Sequence, residues 1–264
     1  MISAVYIFLL YFLGVLDVKG VSAPLTLAAC ILFGGFMGLL DDWIDLKWRY
    51  KAFLPLIAAI PLVTFASKVG ARTSIALPLL GTINFGQIYY FIIIPVLVTI
   101  ITNTVNQLGG LNGLETICPA IIMIGLMSIS GSFAILLLCP LTVWLILAFF
   151  NFRGRIFVGN TGSFAIGITL AAFAIISDLK TDLVISVLPY IFNSAVILLT
   201  FFFYRTKANV SFDGKRLASD HRRSLITLIS FNRPLTERQV VIVISLLVAA
   251  TTLAAVLARL LLNL

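Results

Sequence analysis

Three carboxylates lie close together in the segment LLDDWIDLKWRYK, residues 39–51. Asp41 and Asp42 are adjacent, and Asp45 would share a face with Asp41 if the helix continued through both. Clustered carboxylates repel one another, so a divalent cation, a proton or nearby cationic side chains must offset the repulsion. The segment itself supplies three such cations: Lys47, Arg49 and Lys51. It therefore predicts a functional site, with a helix end carrying solvated charges as the alternative.

A second segment, NTVNQLGGLNGLE at residues 103–115, combines three asparagines with glycines. The amides of Asn103, Asn106 and Asn112 can ligate a metal through oxygen or read a nucleobase edge by donating and accepting. Glycines let the backbone turn sharply and approach a ligand closely. The alternative is a glycine-broken helix with asparagine caps.

The third segment is FRGRIFVGNTGSFAIG, residues 152–167, in which a basic loop leads through Gly159 into an apolar run. A helix that begins near Thr161 and Ser163 would present free N–H groups and a positive dipole, which suit phosphate oxygens. The same Asn-Thr-Gly-Ser sequence is also typical of an ordinary cap and turn.

The fourth segment, YRTKANVSFDGKRLASDHRRSLITL at residues 204–228, is strongly basic and holds the chain's one histidine, His221. Arg205, Arg222 and Arg223 are candidates for diphosphate contacts, because a guanidinium can grip phosphate with two hydrogen bonds. Anchoring at lipid headgroups is the alternative. The sequence contains no Walker A motif and no His or Cys set with transition-metal spacing.

Long apolar runs must position these four segments. Of the 264 residues, 61% are hydrophobic and 11% charged, and the mean hydropathy is +1.15, which is far from the balance of a soluble domain. We predict an all-α, polytopic transmembrane helical bundle with about nine spans. Residues 71–87 are too polar to span and predict a short hairpin or re-entrant turn. The predicted spans are residues 2–16, 22–40, 52–67, 88–105, 115–130, 132–151, 162–177, 183–203 and 239–262.

Lysine and arginine are distributed unevenly between alternate loops, thirteen on one side against five on the other. By the positive-inside rule the richer side is cytoplasmic, and the four chemistry-bearing segments lie on it. The net charge of +8 is therefore better explained by membrane topology than by nucleic-acid binding. The poorer side holds Lys19, Lys68, Arg72, Lys180 and Arg259.

Taken in order, the segments resemble the polyprenyl-phosphate N-acetylhexosamine-1-phosphate transferase superfamily. They are most similar to its archaeal and eukaryotic branch, the UDP-GlcNAc:dolichyl-phosphate GlcNAc-1-phosphate transferases of glycosyltransferase family 4 type. The similar motifs are LLDDWIDLKWRYKAFLP, NTVNQLGGLNGLE, RIFVGN, where the family has Phe-Val-Gly-Asp, and RPLTERQVVIVI before the last helix. The resemblance implies a single membrane transferase domain over residues 1–264.

The resemblance also implies roles for individual residues. Asp41 and Asp42 would lie at the active site, and Asp45 and Lys51 would help to place the lipid phosphate. Mg²⁺, or Mn²⁺ as an alternative, would be held by Asn106 and Asn160. Asn112 would hydrogen-bond uracil and Phe157 would stack on it. The other implied substrate-binding residues are Asn103, Glu115, Arg205, His221, Arg222 and Arg223.

The implied reaction is attack of a polyprenyl or dolichyl phosphate oxygen on the β-phosphorus of UDP-GlcNAc, which releases UMP. The implied partners are these two substrates and membrane lipids, without nucleic acid, and a homodimer is one open alternative. The protein would be a multi-pass protein of the cell membrane in a prokaryote, or of the endoplasmic reticulum in a eukaryote. Its active site would face the cytoplasm.

The chain departs from the family pattern in two ways. Asn160 stands where the family usually has aspartate, which replaces an anionic oxygen ligand with a neutral amide and should weaken Mg²⁺ binding. The chain also starts where the family's second span would, so the first span is expected to be missing.

Three other functions remain open on the sequence. One is a bacterial-type transfer of another sugar-1-phosphate to undecaprenyl phosphate, and another is an inactive homologue that binds lipid. The third is a cation transporter, which would be expected to carry its charges near the bilayer midplane rather than at span ends.

Overall fold

A computed structural model describes residues 23–77, 81–206 and 209–262. The described fold consists of helices with two short antiparallel hairpins, so the predicted all-α class is confirmed. In chain order the elements are α1 (Ala23–Ile44), α2 (Trp48–Ala58), α3 (Ile60–Val69), β1 (Ser74–Leu77), β2 (Gly81–Asn84), a π-helical turn (Tyr89–Ile93), α4 (Ile94–Gln107), α5 (Leu114–Ile129), a 3₁₀ turn (Gly131–Ala134), α6 (Ile135–Asn151), α7 (Gly159–Ile176), α8 (Lys180–Ser186), α9 (Leu188–Tyr204), β3 (Ser211–Phe212), β4 (Leu217–Ala218), α10 (Leu225–Ile229) and α11 (Glu237–Leu262).

Eight of the predicted spans coincide with these helices, and the predicted span at residues 2–16 lies outside the described residues. By length and composition, six of the described helical segments could cross a membrane, or seven if the bent pair α8 and α9 is one span. The predicted hairpin between residues 71 and 87 is present as β1 and β2, with Ile75 paired to Ile83.

Two predicted helical segments do not continue as single straight helices. The predicted span at residues 183–203 is two helices bent by 62° at Val187, where Pro189 in the first turn of α9 lacks the N–H that would continue α8. Helix α1 stops at Ile44, and Asp45 has a left-handed φ of +44°. Asp41 and Asp45 are therefore not on one continuous helical face.

The central helix is α7, 72% of whose residues are buried. It packs against α1 and α4, and small residues bring the backbones together. A Cβ on Gly38 of α1 would overlap the backbone carbonyl of Asn160 on α7. One on Gly167 of α7 would lie 2.8 Å from Cα of Thr102 on α4. These close approaches bring the ends of α1, α4 and α7 to one place.

Candidate active site

The start of α7 is held by a carboxylate from α1. Asp42 Oδ1 accepts a hydrogen bond from the backbone N–H of Asn160 at 2.9 Å. Its Oδ2 accepts from the backbone N–H and the hydroxyl of Thr161, at 2.8 and 2.7 Å. Asp42 thus satisfies N–H groups that have no partner within the helix, and its negative charge complements the helix dipole. The sequence predicted that this helix start offers free N–H groups to phosphate, but two of them are already engaged.

Next to this cap, an asparagine from α4 meets the asparagine at the start of α7. Asn106 Nδ2 donates to Asn160 Oδ1 at 2.8 Å and to the hydroxyl of Ser163 at 2.7 Å. Three helices, from the first three segments, therefore supply Asp42, Asn106 and Asn160 to one cluster. Ser163, which the sequence analysis placed only near a helix start, orients Asn106 by accepting from its amide.

A second cluster joins the end of α1 to the start of α2. The ammonium group of Lys51 lies 2.8 Å from Asp41 Oδ1 and 3.4 Å from Asp45 Oδ1. The backbone N–H of Leu46 also donates to Asp41 Oδ1, at 3.0 Å. Asp41 is only 3% exposed and its Oδ2 is buried with no hydrogen-bond partner. Lys51 links the two carboxylates, while the N–H of Asp45 still donates to the carbonyl of Asp41 at 3.0 Å.

The glycine-rich loop after α4 is fixed by two side chains that the sequence analysis did not select. Glu237, in the first turn of α11, accepts from the backbone N–H of Asn112 at 2.6 Å and from Asn112 Nδ2 at 3.3 Å. Buried Asn151, the last residue of α6, accepts from the N–H of Gly113 at 2.7 Å and donates to the carbonyl of Ile156 at 2.8 Å. Asn151 thereby ties the second segment to the third.

The structure places three other predicted residues around these clusters. Glu115 accepts from the N–H of Gly110 at 3.1 Å, so it closes the glycine loop. Asn103 Nδ2 donates to the carbonyls of Thr99 and Ala52, at 2.9 and 3.3 Å, and so joins α4 to α2. Phe157 is 72% exposed, which leaves its ring free to stack on a ligand.

The basic loop that follows α9 forms a separate group. His221 accepts from the N–H of Asn209 at 3.2 Å, and the guanidinium carbon of Arg222 lies 4.2 Å from the ring centroid of Phe231. Arg205 ends α9 in a left-handed conformation, and the N–H of Arg223 donates to the hydroxyl of Thr227 at 2.9 Å. Among the described residues, no hydrogen bond or ion pair joins the side chains of Arg205, His221 and Arg222 to Asp42 or Asn106.

One buried side chain connects that loop to the rest of the site. Asn193 of α9 accepts from the N–H of Leu225 at 2.9 Å and donates to the carbonyl of Gln107 at 3.4 Å. Gln107 follows Asn106, so the start of α10 is tied to the helix that carries the asparagine cluster. Sequence periodicity placed Asn193 inside an apolar span, which gave no sign of this contact.

The side-chain oxygens of the cluster suit a metal ion that also binds the phosphate oxygens of a ligand. Among the residues described, no three His, Cys, Asp or Glu side chains come together as a metal site. Asp42, Asn106 and Asn160 offer one carboxylate and two amides, and Mg²⁺ commonly takes one or two carboxylates with substrate phosphates completing its shell. To add its oxygen, Asn106 would have to turn the amide that now donates to Asn160. The residues therefore fit Mg²⁺ when a diphosphate is also bound.

Proteins of similar sequence identify the family of this chain. Residues 24–178 match the glycosyl transferase family 4. A protein of Saccharolobus solfataricus with the provisional name UDP-N-acetylglucosamine–dolichyl-phosphate N-acetylglucosaminephosphotransferase is 33% identical over 229 residues, which cover 84% of this chain and 70% of the relative. A protein of Schizosaccharomyces pombe that carries the same name without the qualifier is 30% identical, over 66% of this chain and 44% of the relative.

Another relative is named for the transfer of a different sugar phosphate. The phospho-N-acetylmuramoyl-pentapeptide-transferase of Clostridioides difficile is 32% identical over 56% of this chain and 51% of its own length. The chain thus spans 70% of the archaeal relative and about half of the other two. The family match includes Asp42, Asn106 and Asn160, the three residues that the fold brings together, and the apolar helices make the chain an integral membrane protein. The chain belongs to glycosyl transferase family 4.

Proposed function

We propose that this protein transfers GlcNAc-1-phosphate from UDP-GlcNAc to a polyprenyl phosphate, with dolichyl phosphate as the expected acceptor. One observation carries the proposal: Asp42, Asn106 and Asn160 come from three separate helices and meet at the ends of those helices. The names of the archaeal and yeast relatives supply the substrate class. A soluble nucleotide sugar and a membrane lipid can both reach such a site, because span ends lie near the lipid headgroups.

In the proposed reaction an oxygen of the lipid phosphate attacks the β-phosphorus of UDP-GlcNAc. The bond between that phosphorus and the bridging oxygen breaks, so UMP leaves and the lipid becomes a diphospho-GlcNAc. A phosphate monoester is largely ionised at neutral pH, so no side chain is required to remove a proton. Lys51 is the cation best placed to hold the lipid phosphate, since it lies at the start of α2 between Asp41 and Asp45.

The donor would lie against the asparagine cluster. Asp42, Asn106 and Asn160 would hold Mg²⁺, or alternatively Mn²⁺. When bound, the metal supplies positive charge that stabilises the leaving UMP. Asn112 would hydrogen-bond the uracil and exposed Phe157 would stack on it.

The basic loop would cover the sugar and the diphosphate. Four side chains of this loop would donate hydrogen bonds to the phosphate oxygens: Arg205, His221, Arg222 and Arg223. Asn193 supports this assignment, because its hydrogen bonds tie the loop to the helix of Asn106.

The proposal is tested by a transfer assay on the full chain in liposomes, with radiolabelled UDP-GlcNAc, dolichyl phosphate and Mg²⁺. Wild type should form a labelled lipid, and Asp42→Asn should lower the rate about 100-fold, because the cluster loses its carboxylate. Asparagine keeps the size of the side chain but has only one accepting oxygen, so one of the N–H contacts to α7 is lost along with the charge. The Tm of the variant in detergent, measured beside the rate, separates a loss of folding from a loss of catalysis. If wild type forms no labelled lipid from UDP-GlcNAc, the proposal is wrong.

A matched control is available at the other end of α7. Asp178 follows the last turn of that helix, its side chain is 40% exposed, and it has a left-handed φ of +58°, which asparagine also tolerates. Its partner Lys180 keeps a hydrogen bond to the carbonyl of Arg72 when the charge is removed. Asp178→Asn makes the same charge change as Asp42→Asn away from the cluster, and should leave the transfer rate unchanged.

A second donor is a candidate because of the bacterial relatives. The C. difficile protein is named for phospho-N-acetylmuramoyl-pentapeptide transfer and is 32% identical to this chain. The same assay with UDP-MurNAc-pentapeptide and undecaprenyl phosphate distinguishes the two transfer reactions. Product from this pair alone would favour the bacterial-type reaction.

A further inference from the structure

Glu237 contacts Asn112 in a way that allows the amide only one orientation. Its two carboxylate oxygens accept from the backbone N–H of Asn112 at 2.6 Å and from Asn112 Nδ2 at 3.3 Å. An ionised carboxylate has acceptors and no donor, so it can face the NH₂ of an asparagine but not its oxygen. Asn112 Oδ1 is therefore directed away from Glu237.

The neighbouring contacts keep Glu237 at this loop. The guanidinium carbon of Arg238 lies 5.4 Å from the ring centroid of Phe152, and a Cβ on Gly113 would lie 2.7 Å from the same ring. The start of α11 thus contacts both the Asn112 loop and the loop that leads to Phe157. Glu237 and Asn112 are 125 residues apart in the chain, so the contact depends on the packing of the bundle.

We infer that Glu237 is a positioning residue that fixes Asn112 with its amide oxygen toward the nucleobase, and so makes the site select uracil over cytosine. The inference rests on the proposed function, in which Asn112 contacts the base. Uracil carries a donor at N3, which the fixed oxygen accepts. Cytosine carries a lone pair at N3, which the same oxygen repels.

Glu237→Gln makes this orientation testable. The glutamine keeps the length of the side chain, and its oxygen can still accept from the backbone N–H of Asn112. Its NH₂ then faces the Asn112 side chain, which must turn to present Oδ1 to it. Asn112 Nδ2 would point to the base and donate to N3 of cytosine.

The measurement is the binding of UMP and CMP to the full chain in detergent, by isothermal titration calorimetry. The two nucleotides share the ribose phosphate, so the ratio of their Kd values reports the base alone. Wild type should prefer UMP by at least about tenfold, and Glu237→Gln should lower that preference to about one or reverse it. Asp178→Asn, which makes the same charge change at the other end of α7, should keep the wild-type ratio.

Measuring Glu237→Gln in a chain that also carries Asn112→Ala shows whether its effect on the UMP-to-CMP ratio depends on Asn112. In Asn112→Ala, adding Glu237→Gln should change the ratio by less than about twofold, because the group that Glu237 orients is gone. If Glu237→Gln weakens UMP and CMP equally in the otherwise wild-type chain, Glu237 only supports the loop and the inference is wrong. If wild type itself binds neither nucleotide, the proposed function fails as well.

Discussion

Position 160 combines two contacts that involve different parts of the same residue. The backbone N–H of Asn160 donates to Asp42, and its side-chain oxygen accepts from Asn106. The first contact fixes the start of α7 and the second forms the amide pair. An amide oxygen carries less negative charge than a carboxylate, so the side chain limits how strongly the cluster can attract a divalent cation.

Asn160→Asp should therefore strengthen metal binding. The new carboxylate can still accept from Asn106, and it gains from the positive end of the α7 dipole. We expect the Mg²⁺ concentration for half-maximal transfer to fall about tenfold, which corresponds to about 1.4 kcal/mol. The measurement is the transfer rate across an Mg²⁺ titration.

Asn232→Asp is the control for that titration. Asn232 is an exposed residue with a left-handed φ of +50°, a conformation that aspartate also tolerates. It makes the same charge change as Asn160→Asp and should leave the Mg²⁺ requirement at the wild-type value. Equal Mg²⁺ requirements in all three proteins would mean that position 160 is not a ligand.

At the scale of elements, the contact between α1 and α7 decides where Asp42 lies. Gly34 and Gly38 are one helical turn apart on α1 and both face the backbone of α7. This small-xxx-small spacing lets two helices approach closely within a membrane, where packing rather than hydrophobicity drives association. Asp42 lies one turn after Gly38, so the same close approach brings its carboxylate within hydrogen-bonding distance of α7.

Gly38→Ala should separate these helices. The added methyl group would overlap the carbonyl of Asn160, and overpacking of this kind costs about 1–3 kcal/mol. We expect a lower Tm in detergent and a lower transfer rate, because the Asp42 hydrogen bonds to α7 lengthen. Gly35→Ala is the matched control, since a Cβ there has open space around it. Equal Tm values for the two variants would contradict this account of the contact.

At the scale of the whole molecule, the site and an ion-pair cluster occupy opposite ends of α7. Asn160 and Ile176 are 16 residues apart within this helix, or about 24 Å along its axis, and Asp178 follows Ile176. At that far end Lys180 lies 2.7 Å from Asp178, and Arg259 lies 2.8 Å from Asp182. Lys180 and Arg259, which the sequence predicted on the side opposite the site, therefore belong to a compact cluster of ion pairs.

The cytoplasmic orientation of the site can be tested with two single cysteines. Lys215→Cys lies in the β3–β4 hairpin at the site end, and Lys68→Cys lies in the last turn of α3 at the other end. A membrane-impermeant maleimide should label Lys68→Cys in right-side-out vesicles and Lys215→Cys only in inverted ones. The unmodified chain is the control, because Cys30 and Cys118 are buried and Cys139 lies within apolar α6. The reverse labelling pattern would place the site on the outer face.

Hydropathy predicted the long described helices because lipid imposes long apolar runs. The family resemblance implied that Asp41 and Asp42 share one site with Asn106 and Asn160, and the structure brings Asp42 to the two asparagines. The bend at Val187 was missed, since a proline in a first helical turn does not interrupt the hydropathy signal. Glu237 was missed for a different reason. Its partner Asn112 is 125 residues away, and local sequence carries no information about such a pairing.

The hydrogen bonds that Asp42 accepts from the start of α7 determine which substitutions position 160 can accept during evolution. Asp42 reaches position 160 through the peptide N–H, which every residue except proline possesses, so the framework does not depend on the side chain there. Asparagine and aspartate codons differ by one base. A single point mutation can therefore exchange an amide for a carboxylate at the proposed metal site while the surrounding architecture persists, so natural drift could adjust the strength of the proposed metal binding separately from folding.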